Sequence, residues 1–259
     1  ISNKPTVITI HDLIHEKFPE HININGFIIR NKDKLIQKAD KIITVSKVTK
    51  RDLIDYYGVN GKKVKVIYHG TFKITESKIQ RDRLIDKRYI LHVGRRSGYK
   101  NFYFFIMAVK KIITDNDIHV VCVGPKFSKK EIEFFKFLGL NDFVKNISTT
   151  DNELISLYQN ADFLVFPSIY EGFGIPIVEA FSCNCPCLLS DIPVFKEVAG
   201  NAAIYFDTKN KGDLCEKMNL LLDSVSLRND LVQKGANAVK KYSWDRTMKE
   251  TIKVYKSLL

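Results

Sequence analysis

Short apolar runs alternate with longer amphipathic stretches along most of the chain. The runs are rich in Val, Ile and Leu, which is typical of strands buried on both faces of a sheet. The predicted strands are Thr6–Ile10, Lys41–Val45, Lys63–Ile67, Tyr89–Val93, Ile118–Val123, Phe143–Ile147, Phe163–Phe166, Cys185–Ser190 and Ala203–Phe206. The alternation predicts an α/β fold with parallel sheets covered by helices, and a ligand site at the carboxyl ends of the strands.

Helical periodicity fills the segments between these strands. The predicted helices are about Phe27–Ala39, Ser46 to about Tyr57, one after Asn101, one from Ser128, Asn152–Gln159, Pro176–Ser182, one from Pro193 and terminal helices, the last beginning at Ser243. The segment Thr71–Lys87 is polar and aperiodic, so we interpret it as a linker between domains. We expect one domain in 1–80, a second in 81–241 and a closing helix in 242–259.

The most informative stretch is Pro167–Ala180, which follows a predicted buried strand. It turns through Gly172-Phe173-Gly174 and enters a helix, so backbone N–H groups are available to an anion or a polyol. Glu171 lies in the loop and Glu179 in the helix, and each carboxylate can accept two hydrogen bonds from a diol. The alternative is a turn residue followed by a carboxylate placed by the helix dipole.

A second strand-to-helix turn runs from Gly94 to Asn101 and reads G-R-R-S-G-Y-K-N. A helix N-terminus with guanidinium and ammonium groups suits a diphosphate. The loop carries three such cations, Arg95, Arg96 and Lys100. Because the loop is neither G-x-G-x-x-G nor a Walker A sequence, binding of a nicotinamide dinucleotide or a P-loop nucleotide lacks its main support.

His11 and Asp12 follow the first predicted strand directly. The segment H-D-L-I-H resembles the zinc-protease motif H-E-x-x-H, but that motif needs both histidines on one helical face, and here a strand runs into the first. We therefore place His11 at a sheet edge, with a local cap or pair as the competing interpretation.

Composition limits the classes of partner that the protein is expected to bind. The 259 residues are 45% hydrophobic and 27% charged, with a net charge of +12. The lysines are scattered and no aromatic-interleaved basic motif is present, so we expect no nucleic-acid binding. The basic segments Arg30–Lys41 and Lys47–Arg51 leave peripheral contact with anionic lipid open. No apolar run approaches the roughly 18 residues of a spanning helix.

Five cysteines without an export signal favour reduced thiols and a cytoplasmic location. Cys183, Cys185 and Cys187 lack a zinc-like spacing, and we expect them to pack in the core, with Cys185 facing opposite to its neighbours. No metal site is expected. The chain has no initiator Met and only five residues precede its first predicted strand, which suggests a fragment.

Four ordered elements resemble the retaining GT-B glycosyltransferases of family four: His11-Asp12 followed by F-P, G-R-x-x-x-x-K-N, E-x7-E around G-F-G-x-P, and a helix beginning Ser243-Trp244. The resemblance covers essentially the whole chain. It implies a GT-B fold with a Rossmann-like C-terminal domain and the end of an N-terminal Rossmann-like domain. It also implies that the last helix crosses back onto the first domain, where Trp244 would act only in packing.

The resemblance further implies a donor site and its roles. Glu171 would bind hydroxyls of the transferred sugar, Glu179 the ribose, and His11 the sugar from across the cleft. Arg95 and Lys100 would hold the donor diphosphate, with Arg96 as a solvated neighbour, and the base would lie near Ile147-Ser148. The implied catalytic residues are His11, Arg95, Lys100 and Glu171, and the implied donor-binding residues are Gly94, Arg95, Lys100, Ile147, Glu171, Gly172, Phe173, Gly174, Ile175 and Glu179.

These residues predict a metal-independent hexosyltransferase that uses a nucleotide-diphosphate sugar and no other cofactor. The H-D-x-x-x-x-x-F-P segment favours GDP-mannose or a UDP-hexose, and the acceptor would be a glycan or a lipid-linked sugar in polysaccharide or glycolipid synthesis. The alternative is a nucleotide-sugar binding module without turnover unless a partner chain completes it, because the acceptor side of a whole GT-B enzyme would need further strands.

Overall fold

The computed structural model describes residues 4–21, 27–71 and 83–259. Side chains are described for these ranges except those of His21, Phe27, Ile28 and Arg30. Most of the predicted linker Thr71–Lys87, the predicted boundary at 80/81 and the side chain of Arg30 therefore lie outside the described residues.

Nine strands form two parallel sheets in the described part of the chain. The strands are β1 (Val7–Ile10), β2 (Lys41–Thr44), β3 (Val64–Val66), β4 (Tyr89–Val93), β5 (His119–Val123), β6 (Val144–Ile147), β7 (Leu164–Phe166), β8 (Cys187–Ser190) and β9 (Ile204–Phe206). Every predicted strand is present, and each observed strand equals the prediction or is one or two residues shorter. The small sheet has the order β1-β2-β3, and the large sheet has the order β6-β5-β4-β7-β8-β9.

Helices cover the strands. They are α1 (Ile14–Lys17), α2 (Phe27–Lys38), α3 (Lys47–Tyr57), α4 (Phe102–Asp115), α5 (Lys129–Leu138), α6 (Asp151–Asn160), α7 (Ile175–Ser182), α8 (Pro193–Ala199), α9 (Lys211–Asp223), α10 (Val225–Ala238) and α11 (Trp244–Lys256). Local sequence sets several of the ends. Ser128 and Thr150 form capping boxes with Glu131 and Glu153, and Gly58 ends α3 in the left-handed conformation.

The large sheet separates two apolar layers. Leu91 packs with α6, α7 and α8 on one face, whereas Ile90 packs with α4, α5 and α9 on the other. Successive residues of β4 therefore enter opposite layers, as the alternation of side chains in a strand requires. Burial on both faces explains why the strands read as continuous apolar runs rather than as alternating ones.

Two sequence predictions about packing are corrected by the fold. Only Cys187 of the three clustered cysteines lies in β8, since Cys183 caps α7 and Cys185 lies between the two elements. All three are buried as expected, but in the same core, so the expectation that Cys185 faces opposite to its neighbours is wrong. The predicted apolar stripe of α11 faces outward, and Trp244 is 51% exposed. The helix contacts the small sheet instead through Val254, which packs on Ile43 and Ile67.

We call the described residues up to 71, which contain the small sheet, the small unit, and residues 83–241, which contain the large sheet, the large unit. Helix α8 of the large unit caps helix α3 of the small unit. The Glu197 carboxylate accepts hydrogen bonds from the first two N–H groups of α3, at 2.7 Å from Lys47 N and 3.0 Å from Val48 N. It also accepts one from the Tyr68 hydroxyl at 2.9 Å. An anion at a helix N-terminus interacts favourably with the helix dipole as well as with the unpaired donors.

We therefore expect Glu197→Ala to lower the free energy of unfolding by about 1–2 kcal/mol, because three donors lose a charged acceptor. Urea denaturation followed by circular dichroism measures this loss. Glu133→Ala on the exposed face of α5 is the matched control and should change stability by less than about 0.5 kcal/mol. Equal losses in the two variants would show that the cap contributes nothing.

Candidate functional site

The order of the large sheet points to a candidate ligand site. With β4 counted as strand 1, the strand order is 3-2-1-4-5-6. Strands β5 and β6 are added on one side of β4 and strands β7 to β9 on the other, so the strand order reverses between β4 and β7. Loops after adjacent strands diverge at such a switch point and leave a crevice at the carboxyl ends of the strands. The loops at this crevice are 94–101 and 167–174, the two that sequence analysis selected. Their backbones join directly, since Ile169 N donates to Tyr99 O at 2.9 Å.

Lys100 and Glu171 form the centre of the crevice. The Lys100 ammonium donates to Glu171 Oε1 at 2.6 Å, and both side chains are nearly buried, at 13% and 11% exposure. Burial raises the pKa of Glu171, and the charge and hydrogen bond of Lys100 oppose that rise. A buried carboxylate is costly without a partner, so Lys100 favours the charged form of Glu171 and holds the carboxylate in place.

The backbone of the small unit closes the crevice against Gly172. A Cβ at this glycine would lie 1.8 Å from the carbonyl oxygen of His11. The Gly172 carbonyl in turn accepts from Thr49 Oγ1 at 3.1 Å. Gly172 is therefore required by a close approach between backbones, and its neighbour Glu171 faces the end of β1.

The next residues of the loop turn into α7. Gly174 has φ +102°, a left-handed conformation that favours glycine, and precedes the partly exposed Ile175. The ring of Phe173 is buried between Tyr68 and Tyr242 rather than facing the crevice. Only the backbone of Phe173 remains free for the role that the resemblance implies.

Glu179 lies one turn inside α7 and accepts a hydrogen bond from the Tyr158 hydroxyl at 2.8 Å. Burial raises the pKa of Glu179, and this hydrogen bond opposes the rise. Tyr158 is fully buried on α6, so it holds one carboxylate oxygen in a fixed position. Sequence analysis missed Tyr158, because nothing in its own segment indicates that its hydroxyl reaches α7.

The two arginines of the 94–101 loop have different environments, and the prediction for Arg96 is wrong. Arg95 is exposed at the turn, whereas Arg96 is 4% exposed. Arg96 donates to Glu131 at 2.6 Å and to the carbonyl of Pro125 at 2.7 Å, and its guanidinium lies over the ring of Phe127. Arg96 therefore anchors the loop to α5 and leaves Arg95 at the surface.

Beneath this loop lies His92, a fully buried imidazole in β4. Its Nε2 is 3.3 Å from the carbonyl oxygen of Arg95, so it supports the turn from below. Burial is the main cause that lowers the pKa of His92 from 6.5 to about 4.

This shift predicts acid sensitivity. Between pH 6.5 and 4 the unfolded chain binds a proton at His92 that the folded chain does not, so stability falls as the pH is lowered through this window. From pH 7 to pH 5 we expect His92 to account for a loss of about 2 kcal/mol. Urea denaturation at both values tests this, because His92→Asn should show a smaller loss than the unmodified protein. The same pH dependence in both proteins would contradict it.

The remaining predicted residues lie at two other strand ends. Ile147 ends β6, the edge strand of the large sheet, and pairs with Val123 of β5. Strands β5 and β4 therefore lie between Ile147 and β7. His11 follows β1 and is exposed, with its Nδ1 at 3.3 Å from Nε2 of His69. His69 is not among the residues predicted from the sequence. Its position after β3, at the same sheet edge as His11, is the signal that would have indicated the contact.

Zinc-protease chemistry does not fit this geometry. His11 precedes α1, which begins at Ile14, so the two histidines of H-D-L-I-H do not share a helical face. Across the described ranges, no group of three or more His, Cys, Asp or Glu side chains lies together as a metal site. Nor is any helix within those ranges both long and apolar enough to span a membrane.

Comparisons with known proteins agree on the class of protein. The fold is the GT-B type: the structure superimposes on sucrose-phosphate synthase from Thermosynechococcus elongatus with a TM-score of 0.81 at 19% identity, over 97% of this chain and 67% of that one. Anabaena Alr3699/HepE, solved in complex with UDP and glucose, also gives 0.81, at 21% identity over 98% of this chain and 72% of that one.

The family follows from the sequence match. The family model "Glycosyl transferases group 1" covers residues 74–238, more than half of the chain, and "Glycosyltransferase Family 4" covers residues 1–71. The chain belongs to the glycosyl transferases group 1 family. A curated relative, the O-antigen chain mannosyltransferase RfbU of Salmonella typhimurium, is 33% identical over 231 residues. That match takes in 87% of this chain and 64% of the relative, so the chain spans less than two thirds of its length.

Proposed function

We propose that the protein is a retaining glycosyltransferase that moves a hexose from a nucleotide-diphosphate sugar to a glycan or lipid-linked acceptor. The observation that carries the proposal is the Lys100–Glu171 pair at the switch point, 2.6 Å apart. A cation for the diphosphate and a carboxylate for sugar hydroxyls meet there in one crevice. GDP-mannose or a UDP-hexose is the favoured donor, consistent with a relative named as a mannosyltransferase and a neighbour solved with UDP and glucose.

The chemistry follows from the charge that develops when the sugar leaves. The bond between the anomeric carbon and the phosphate oxygen breaks, and negative charge grows on the diphosphate. Lys100 has three donors, so it can keep Glu171 and still bind a phosphate oxygen. Arg95, exposed at the same turn, adds a guanidinium that matches phosphate geometry. Cations held in place before the reaction stabilise the departing charge without reorganising.

The carboxylates orient the rest of the donor. Glu171 accepts hydrogen bonds from sugar hydroxyls, and the N–H groups of Gly172–Gly174 hold the sugar beside it. Glu179, fixed by Tyr158, takes the ribose. His11 contacts the sugar from the small unit. Orientation of this kind lowers the activation barrier, because the bound donor has already lost translational and rotational freedom that the reaction would otherwise have to restrict.

In this proposal the configuration at the anomeric carbon is retained because the leaving phosphate, and not an enzyme nucleophile, guides the acceptor to the same face of the sugar. Glu171 is the carboxylate at the centre of the crevice, and its ion pair with Lys100 makes it a poor nucleophile. An acceptor hydroxyl then attacks on the face that the phosphate leaves. The new bond joins the anomeric carbon to the acceptor oxygen, and the acceptor proton passes to the departing phosphate oxygen. In this proposal the enzyme works without a metal, in the cytoplasm or at the inner face of the membrane.

A second candidate is a nucleotide-sugar binding module that turns over only when a partner chain completes it. One observation favours it. Within the described ranges β1 is an edge strand, and a cavity of about 520 Å³ lies beside it, lined by Ile8, Ile10, His11 and Leu35 among others. Leu35 is 55% exposed there. Additional chain on this face would supply the acceptor side.

Calorimetric titration with UDP, GDP and ADP and their sugars tests the donor site directly. We expect one nucleotide to bind and its sugar to be transferred when a lipid-linked or glycan acceptor is added. Binding without transfer or donor hydrolysis would favour the second candidate. If a folded sample binds none of the nucleotides, both candidates fail.

A further inference from the structure

His11 and His69 contact each other directly, from one imidazole nitrogen to the other. Nδ1 of His11 lies 3.3 Å from Nε2 of His69, and the ring planes differ by 11°. A hydrogen bond between two such nitrogens needs one proton and one lone pair, so the two rings cannot both be fully protonated.

Three aromatic contacts fix the orientation of the His69 ring. It packs edge-on against Phe173 at 5.4 Å between centroids, tilted against Trp244 at 5.7 Å, and beside His11 at 5.3 Å. Phe173 belongs to the loop that carries Glu171, and Trp244 begins α11. Because three separate parts of the chain fix this ring, its Nε2 is a stationary partner for His11.

Burial keeps His69 neutral. Desolvation, with the neighbouring His11 as a second cause, lowers the pKa of His69 from 6.5 to about 4. A neutral imidazole has one ring nitrogen that carries no proton, so Nε2 of His69 can accept the hydrogen bond that Nδ1–H of His11 donates.

We propose that His69 is a positioning residue that accepts a hydrogen bond from Nδ1–H of His11 and thereby fixes the tautomer of His11. The Nε2 of His11 is then the nitrogen left for the ligand. It accepts from a sugar hydroxyl when the ring is neutral and donates to a phosphate oxygen when the ring is charged. The effect on transfer rests on the proposed function, whereas the tautomer does not.

Nitrogen NMR of protein labelled with ¹⁵N-histidine measures the tautomer without any turnover. The chain has six histidines, and His11→Asn identifies the signal of His11. An imidazole free in water favours Nε2–H, so a neutral His11 protonated at Nδ1 is a distinctive signature. We expect this signature in the unmodified protein and its loss in His69→Phe, which keeps a packed ring but has no nitrogen. A neutral His11 protonated at Nε2 in the unmodified protein would overturn the proposal.

A second variant separates positioning from packing. His69→Gln loses the ring but can place a carbonyl acceptor near the former Nε2. We expect it to retain the Nδ1–H signature and transfer within about threefold of the unmodified protein, while His69→Phe loses about tenfold, mainly in kcat. Circular dichroism of both variants excludes misfolding. Equal effects of the two variants would reduce His69 to a packing residue, and a fixed tautomer in a protein without transfer would contradict only the proposed function.

Discussion

Lys100→Met is expected to lower sugar transfer by about 10²–10³-fold, the usual effect of removing one group that stabilises charge in a transition state. Two losses combine in this variant. The departing diphosphate loses an ammonium group, and the nearly buried Glu171 loses the partner that opposes the rise in its pKa. A carboxyl group that takes up a proton in this way also becomes a weaker acceptor for sugar hydroxyls. Initial rates with a radiolabelled donor measure the loss, and calorimetry with the nucleoside diphosphate alone measures how much of it is binding.

Lys129→Met provides the control for this variant. Lys129 carries the same charge but is exposed at the start of α5, so its replacement removes one positive charge without altering the crevice. If both variants lose similar activity, the net charge of +12 acts by general attraction and the local pair is not the diphosphate site. Selective loss in Lys100→Met, with normal stability, assigns the site to the crevice.

The fold could be predicted largely from sequence because buried parallel strands are nearly continuous apolar runs. All nine strands were predicted, and the small differences lie at their ends. In β8, for example, the apolar run from Cys185 predicted a longer strand than Cys187–Ser190. Cys185 lies in the turn that follows α7, and it is buried there. An apolar residue at this position therefore indicates burial, but it does not indicate a strand.

The site was predictable where function needs unusual residues in loops, and unpredictable where it depends on tertiary neighbours. Lys100 and Glu171 were selected from two separate segments, but their pairing required the strand order to be known. Arg95 and Arg96 are chemically identical in sequence, and the contacts of Arg96 with Glu131, Pro125 and Phe127, all distant in the chain, accompany its burial. His69 carried no local signal for its contact with His11.

The α11 helix shows the same limit for packing. Trp244, Met248, Ile252 and Tyr255 recur at helical spacing, which predicts a buried face. The described residues leave that face exposed and bury Val254 instead, since the contact is set by the position of the small sheet. Periodicity identifies an apolar face, but it does not identify what covers that face.

Gly172→Ala is expected to lower transfer by roughly 10²-fold and to destabilise the protein. The added Cβ would lie 1.8 Å from the His11 carbonyl oxygen, which is a backbone atom and cannot rotate away. Either the 167–174 loop or the end of β1 must move, and both carry residues of the proposed site. A shift of about 1 Å in such a site costs roughly 10²-fold in rate. Overpacking against backbone adds about 1–3 kcal/mol of destabilisation.

Gly212→Ala in α9 separates the steric effect from the general effect of a new methyl group. Its Cβ would meet Asn210 Oδ1, the acceptor that caps α9, at 3.3 Å, a contact that a shift of a few tenths of an ångström relieves without moving the backbone, and alanine favours a helix. We expect Gly212→Ala to keep full transfer activity and an unchanged or higher melting temperature. Gly172→Ala should melt earlier and lose transfer even at temperatures where it is folded. Normal transfer in folded Gly172→Ala would mean that the approach of His11 to the loop is not needed for the reaction, and the site would then have to be sought within the large unit alone.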